Sequence, residues 1–109
     1  MPAFDPTVTP QAASPSTRTT RIALVDDDRM FREALGANLV DAGYGVVELE
    51  NGTVALNHLL GDKENATDVV LLDWRMPDMT GIEVLRRLRS EGREVPVIFL
   101  TMLGEQFYE

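Results

Sequence analysis

The sequence of 109 residues contains no cysteine, which excludes a disulfide framework and a thiolate metal site. Basic residues are few, since 10 Lys and Arg stand against 18 Asp and Glu, for a formal net charge of −8. This acidic balance disfavours electrostatic binding to nucleic acid or to an anionic membrane. No apolar run approaches the roughly 20 residues that span a bilayer, and the N-terminus lacks the order of a signal peptide. We therefore expect a cytoplasmic protein that binds no membrane and, through this segment, no nucleic acid.

The first 20 residues differ in composition from the rest of the chain. Their four prolines are Pro2, Pro6, Pro10 and Pro15. Ser, Thr and Ala surround these prolines, and no helical or alternating apolar period runs through the segment. Such a composition predicts a disordered leader over 1–20, with a docking peptide as the alternative interpretation. The remaining residues, 21–109, are enough for one small domain.

Short apolar runs alternate with segments of helical periodicity along this domain. The predicted strands lie at 22–25, 44–50, 69–72 and 95–100, and the predicted helices lie between them. Alternating strands and helices favour a parallel sheet with right-handed crossovers. The predicted fold class is therefore α/β, with a doubly wound parallel sheet buried on both faces. In such sheets, ligands bind in the crevice at the carboxyl ends of the strands.

Polar residues and glycines mark the predicted helix ends. Asp28 can serve as the N-cap of the first helix, and Gly43 can close that helix in a left-handed conformation. Thr80 begins a capping-box pattern at the third helix. Asn51 and Gly52 predict a turn before the second helix.

Acidic and hydroxyl side chains follow three of the predicted strands at the points where they end. Asp26 and Asp27 follow the first strand, Asp73 follows the third, and Thr101 follows the fourth. Each residue alone is more often a turn or capping residue, but together they end strands at one edge of the sheet. Converging carboxylates repel one another, and a hard cation such as Mg²⁺ relieves that repulsion. The pattern predicts a Mg²⁺ site where Asp73 can take up a phosphoryl group and Thr101 can bond one of its oxygens.

Three segments together resemble the receiver domain of bacterial two-component response regulators. They are LVDDD at 24–28, LLDWRMPDMTG at 71–81 and PVIFLT at 96–101. Their order and spacing match the family over 21–109. The resemblance implies a flavodoxin-like fold and a sensor histidine kinase as the partner that donates the phosphoryl group. It also implies a protein that promotes its own phosphorylation and is not an enzyme acting on an external substrate.

The resemblance further implies a role for each matching position. Asp73 would be the phospho-acceptor, and Thr101 would be the switch hydroxyl. Asp27 would bind Mg²⁺ directly and Asp26 mainly through water. Asp73 and the backbone carbonyl of Arg75 would supply the other metal ligands.

The sequence departs from the family pattern near its end. Receiver domains have a fifth strand, whose terminal lysine contacts the phosphoryl group, and a fifth helix. This chain stops where the fourth helix is expected, and its only lysine, Lys63, precedes the third strand. The resemblance therefore implies an incomplete receiver over 21–109 that lacks the fifth strand and fifth helix and is impaired in phosphorylation.

The sequence is also compatible with two other functions. The first is a phosphorylation-incompetent interaction or dimerisation module. A homodimer or strand-exchanged dimer is conceivable because the strand at 95–100 would form a bare sheet edge. The second is a metal-dependent phosphohydrolase, which ranks last because Arg75 stands where such enzymes usually have a second acid.

Overall fold

The protein is described by a computed structural model that covers residues 18–64 and 66–100. Its elements are β1 (Arg21–Val25), α1 (Arg29–Asp41), β2 (Gly45–Leu49), α2 (Gly52–Leu60), β3 (Val69–Asp73), α3 (Gly81–Ser90) and β4 (Val97–Leu100). The strands of this part of the chain form one parallel sheet in the order β2-β1-β3-β4. The predicted doubly wound α/β fold is confirmed. Most of the predicted leader, the expected fourth helix and Thr101 lie outside the described residues.

The predicted helix caps at α1 and α3 are confirmed. The Asp28 carboxylate accepts a hydrogen bond of 3.1 Å from the Phe31 N–H, and Gly43 has a φ of 103°. Thr80 and Glu83 exchange side-chain-to-backbone hydrogen bonds of 2.9 and 3.2 Å, which is a complete capping box. These caps begin each helix shortly after the strand before it, close to the carboxyl edge of the sheet.

Several predicted boundaries differ from the observed ones by a residue or two, and two of the differences have a physical cause. Asn51 and Gly52 do not form a separate turn, because the Asn51 side chain accepts a hydrogen bond of 2.8 Å from the Val54 N–H and caps α2. The last strand begins at Val97 rather than at residue 95. Pro96 has no N–H to give to a neighbouring strand, whereas its carbonyl accepts a 2.9 Å bond from the Val70 N–H.

The core lies between the sheet and the layer formed by α2 and α3. Its buried side chains are Ala23, Val25, Leu49, Ala55, Leu56, Leu59, Val70, Leu72, Met76, Val84 and Leu88. Helix α1 packs on the opposite face, mainly against β1 and β2. The prediction that the first strand is buried on both faces holds for β1, whereas β4 has an open face, where Ile98 is 54% exposed. No helix within 18–64 and 66–100 is long and apolar enough to cross a membrane.

Arg18 and Arg21 hold the start of the domain against the loop before β3. The Asp68 carboxylate accepts a 3.1 Å bond from the Arg18 guanidinium and a 2.7 Å bond from the Arg21 N–H. The hydrogen bond from the Arg18 guanidinium, followed by that from the Arg21 N–H, lowers the pKa of Asp68. Within the described residues, these contacts with the loop before β3 thus begin at residue 18.

Candidate functional site

The predicted acidic residues meet at the carboxyl ends of β1 and β3. These two strands are neighbours, with Val25 in register with Leu72. Asp26 directly follows β1 and Asp73 is the last residue of β3, so that these two aspartates lie side by side. One carboxylate oxygen from each of Asp26, Asp27 and Asp73 lies within 4.8 Å of the other two. Along the chain, β2 pairs with one side of β1 and β3 pairs with the other side. Folds of this type form a ligand crevice at such a point, here between β1 and β3.

Asp26 is the most buried member of the cluster, at 5% exposure. Its N–H donates a 3.1 Å bond to the Leu49 carbonyl, and its Oδ1 accepts a 2.8 Å bond from the Asp28 N–H. Burial raises the pKa of Asp26, and the charges of Asp27 and Asp28 raise it further. The Asp28 N–H and the Arg32 guanidinium offset part of this rise. The site therefore disfavours an isolated charge on Asp26 and favours one that is shared with a cation.

Asp73 is half-buried, and its pKa is shifted more than that of the other members of the cluster. Burial, followed by repulsion from Asp26, raises the pKa of Asp73 to about 6. The Arg75 N–H donates a hydrogen bond that offsets part of this rise, whereas the hydrogen bond and charge of Asp27 add to it. Asp27 itself is exposed and lies at the mouth of the cluster. Near neutral pH, Asp73 is therefore mostly ionised but poorly solvated.

Asp78 anchors the loop that follows Asp73. Its carboxylate accepts hydrogen bonds from the Gly52 N–H (3.2 Å), the Thr53 N–H (2.7 Å) and the Thr53 hydroxyl (2.7 Å). These donors belong to the first turn of α2, where backbone N–H groups lack helical partners and favour a negative charge. The loop is thereby tied to a helix of the core.

Gly81 closes the same loop at very short range. Its N–H donates a 2.9 Å bond to the Trp74 carbonyl. A Cβ atom at this position would lie 2.7 Å from the Asp73 backbone oxygen and 2.9 Å from a Phe99 ring carbon. Only glycine therefore allows α3 to begin this close to the end of β3 without displacing Asp73.

Trp74 gives the site a natural spectroscopic probe. The residue is 43% exposed, and its ring meets the Phe99 ring edge-on, with 5.2 Å between the centroids. It is the chain's only tryptophan and directly follows Asp73. Changes at Asp73 should therefore alter its fluorescence.

The other predicted site residues have different outcomes. Arg75 stands in the loop and contacts Asp73 through its N–H, and the role of its carbonyl stays a prediction. Thr101 lies outside the described residues. Lys63 follows α2, in the loop that enters β3 from the opposite edge of the sheet. Arg32 contacts the site by a hydrogen bond to the Asp26 carbonyl, although nothing in the sequence pattern had singled it out.

The donor set of the cluster fits a hard divalent cation. It consists of three carboxylates, and hard cations prefer oxygen ligands to sulfur or imidazole. The half-buried position of Asp73 and the burial of Asp26 make the unneutralised charges costly. The cluster could thus hold a metal ion.

Known proteins with similar sequences and structures agree on one family. The family model for the response regulator receiver domain matches residues 22–109. The response regulator MprA of Mycolicibacterium vanbaalenii is 43% identical over 81 residues, which cover 74% of this chain and 34% of that relative. The chain spans about a third of the length of the curated relatives it matches.

Solved receiver structures give the same answer. The response regulator TrrA of Thermotoga maritima, in a complex with Mg²⁺ and BeF, aligns with a TM-score of 0.69 and 35% identity, covering 76% of this chain and 70% of its own. The non-phosphorylated receiver domain of HemR from Leptospira biflexa aligns with a TM-score of 0.68 and 32% identity, covering 76% of this chain and 64% of its own. The chain belongs to the response regulator receiver domains of two-component systems.

Proposed function

We propose that this receiver accepts a phosphoryl group on Asp73 in a Mg²⁺-dependent reaction. The observation that carries the proposal is the convergence of the Asp26, Asp27 and Asp73 carboxylates at the carboxyl edge of the sheet. Of the three, Asp73 combines a half-buried carboxylate with a loop that is fixed at both ends. The receiver family assignment supports the same role for the residue at this position.

Four groups of this chain would hold the ion. They are the carboxylates of Asp26, Asp27 and Asp73 and the backbone carbonyl of Arg75. When bound, Mg²⁺ offsets the negative charge that a phosphoryl group brings to an acidic site.

The chemistry of the transfer follows from the state of Asp73. An ionised Asp73 oxygen attacks the phosphorus of a phosphohistidine, and an O–P bond forms as the P–N bond breaks. The leaving imidazole keeps the electron pair of the broken bond and takes up a proton. Because Asp73 is poorly solvated, little water has to be removed before it reacts. Thr101 would donate a hydrogen bond to a phosphoryl oxygen of the product.

The partner and setting follow from the family rather than from the site. We infer that the donor is a sensor histidine kinase and that the reaction takes place in the cytoplasm. Each chain would accept one phosphoryl group and turn over no external substrate. The net charge of −8 supports the absence of direct nucleic-acid contacts by this segment.

The fluorescence of Trp74 tests this proposal against an inert interaction module of the same fold. We expect Mg²⁺ to change the fluorescence, and beryllofluoride, a phosphoryl mimic, to change it again. Asp73→Asn should abolish the second response, whereas Asp41→Asn, an exposed change at the far end of α1, should keep both. A response to Mg²⁺ alone would favour the inert module, and no response to either would contradict an assembled pocket.

A further inference from the structure

Arg32 reaches from α1 to the back of the acidic cluster. Its side chain is only 12% exposed. One guanidinium nitrogen donates a 2.8 Å bond to the Asp26 carbonyl, and Nε donates a 3.2 Å bond to Glu48 on β2. A single planar group thus ties a helix to the end of one strand and to the neighbouring strand.

These contacts complete a set of restraints on Asp26. Its N–H is held by the Leu49 carbonyl, its Oδ1 by the Asp28 N–H, and its carbonyl by Arg32. With the N–H, the carbonyl and one carboxylate oxygen fixed, the direction of the turn at 26–28 is set. Of these three restraints, the one on the carbonyl is made by a side chain, that of Arg32 on helix α1.

Glu48 fixes the guanidinium in turn. Helix α1 approaches β2 closely at Gly36, where a Cβ atom would lie 3.1 Å from a Glu48 carboxylate oxygen. One Glu48 oxygen therefore lies close to α1 and the other accepts the Arg32 bond, while the Glu48 side chain is 38% exposed. Its negative charge also pairs with the positive charge of Arg32.

We propose that Arg32, oriented by Glu48, is a positioning residue for the metal site, because it holds the Asp26 carbonyl and so aims Asp26 and Asp27 towards Asp73. This inference rests on the proposed binding of Mg²⁺.

If Arg32 is removed, a positioning role and a purely electrostatic role predict opposite changes in Mg²⁺ affinity. A guanidinium near the cluster repels a bound cation, so its removal would tighten Mg²⁺ binding if charge were its only effect. If Arg32 positions the turn, its removal weakens Mg²⁺ binding instead. Outer-shell partners of metal ligands typically contribute about 10–100-fold to metal affinity.

The experiment measures Mg²⁺ affinity from Trp74 fluorescence in matched variants. We expect Arg32→Met to weaken binding about tenfold or more. The control is Arg29→Met, which removes the same charge and breaks the exposed Arg29–Glu33 pair (2.9 Å) on the same helix. It should leave the affinity within about twofold, because exposed pairs contribute little. Unchanged or tighter binding by Arg32→Met would overturn the proposal.

Two further variants guard against a trivial loss of folding. Arg32→Lys keeps the charge but replaces the planar fork with a single ammonium group, which cannot reproduce both contacts. It should bind Mg²⁺ more weakly than the wild type, and wild-type affinity here would contradict the proposal. Glu48→Gln removes charge but keeps an acceptor oxygen for Arg32, and it should bind Mg²⁺ more tightly than Arg32→Met.

Controls separate this inference from the proposed function. Far-UV circular dichroism in EDTA should show the same helix content in every variant. If Arg32→Met loses helix content, the Mg²⁺ affinity of Arg32→Lys tests the positioning role instead. If the wild type binds Mg²⁺ and both Arg32 variants bind it with wild-type affinity, the positioning role is refuted and the proposed metal site is not. A wild type that does not bind Mg²⁺ refutes the proposed metal site and this inference together.

Discussion

Replacing Asp73 with asparagine should stabilise the metal-free protein at neutral pH. Burial and the neighbouring acids raise the pKa of Asp73 from an ordinary value of 3.8 to about 6. The folded state therefore binds this proton more tightly than the unfolded state does. As the pH rises from about 4 to about 6, the metal-free fold loses stability through this group, and above that range the loss is complete. Asparagine carries no charge and avoids the loss.

The size of the effect follows from the shift in pKa. Each pKa unit corresponds to about 1.36 kcal/mol, and the shift from 3.8 to about 6 spans roughly two units. Asp73 is only half-buried, so solvent screening reduces the energy that results. We expect Asp73→Asn to raise the free energy of unfolding by about 1–2 kcal/mol at about pH 7.5, and by much less at about pH 4.5.

Urea unfolding in EDTA, followed by Trp74 fluorescence, measures this difference. Glu94→Gln is a matched control, because it removes one negative charge from an exposed loop between α3 and β4. It should change the stability by less than about 0.5 kcal/mol. An Asp73→Asn variant less stable than the wild type at neutral pH would refute the reasoning, as would an advantage that does not shrink in acid. Added Mg²⁺ should stabilise the wild type more than the variant, since a ligand stabilises the state that binds it.

Other predictions concern the loop between β3 and α3. Gly52→Ala would place a Cβ atom 2.3 Å from Met79 Cγ, and we expect it to cost about 1–3 kcal/mol in urea unfolding. In a protein that also carries Met79→Ala, the Gly52→Ala change should cost less, because the clashing side chain is gone. A double variant whose loss equals the sum of the two single losses would contradict this. Asp78→Ala should cost about 2 kcal/mol and weaken Mg²⁺ binding, because three hydrogen bonds to the start of α2 are lost. Asp78→Asn should lose less, and equal losses would contradict the anchoring role. Thr80→Ala should cost about 1 kcal/mol by thermal unfolding, and no change would contradict a working capping box.

Local chemistry and strand direction made much of the site predictable. Asp28 and Thr80 act within their own helix turns, so their capping roles can be read from neighbouring residues. The meeting of Asp26 with Asp73 followed from parallel strands, whose carboxyl ends share one edge. Neither inference needs the exact position of a distant element.

Features that depend on packing between distant segments could not be predicted in this way. The exposure of Ile98 depends on where α1 lies across the sheet, and a strand pattern carries no such information. Asn51 followed by Gly52 is typical of turns, yet the start of α2 recruits Asn51 as a cap. The contact of Arg32 with Asp26 requires the helix to be placed to within an ångström or so, which periodicity alone does not give.

The most direct test of the account is to locate the phosphoryl group itself. The protein is incubated with a small phosphodonor such as acetyl phosphate, with Mg²⁺ or with EDTA, and the products are mapped by mass spectrometry of peptides. We expect one phosphoryl group on Asp73, formed with Mg²⁺, reduced in EDTA and absent in Asp73→Asn. A protein that binds Mg²⁺ yet gains no phosphoryl group, or gains it on another residue, would contradict the account.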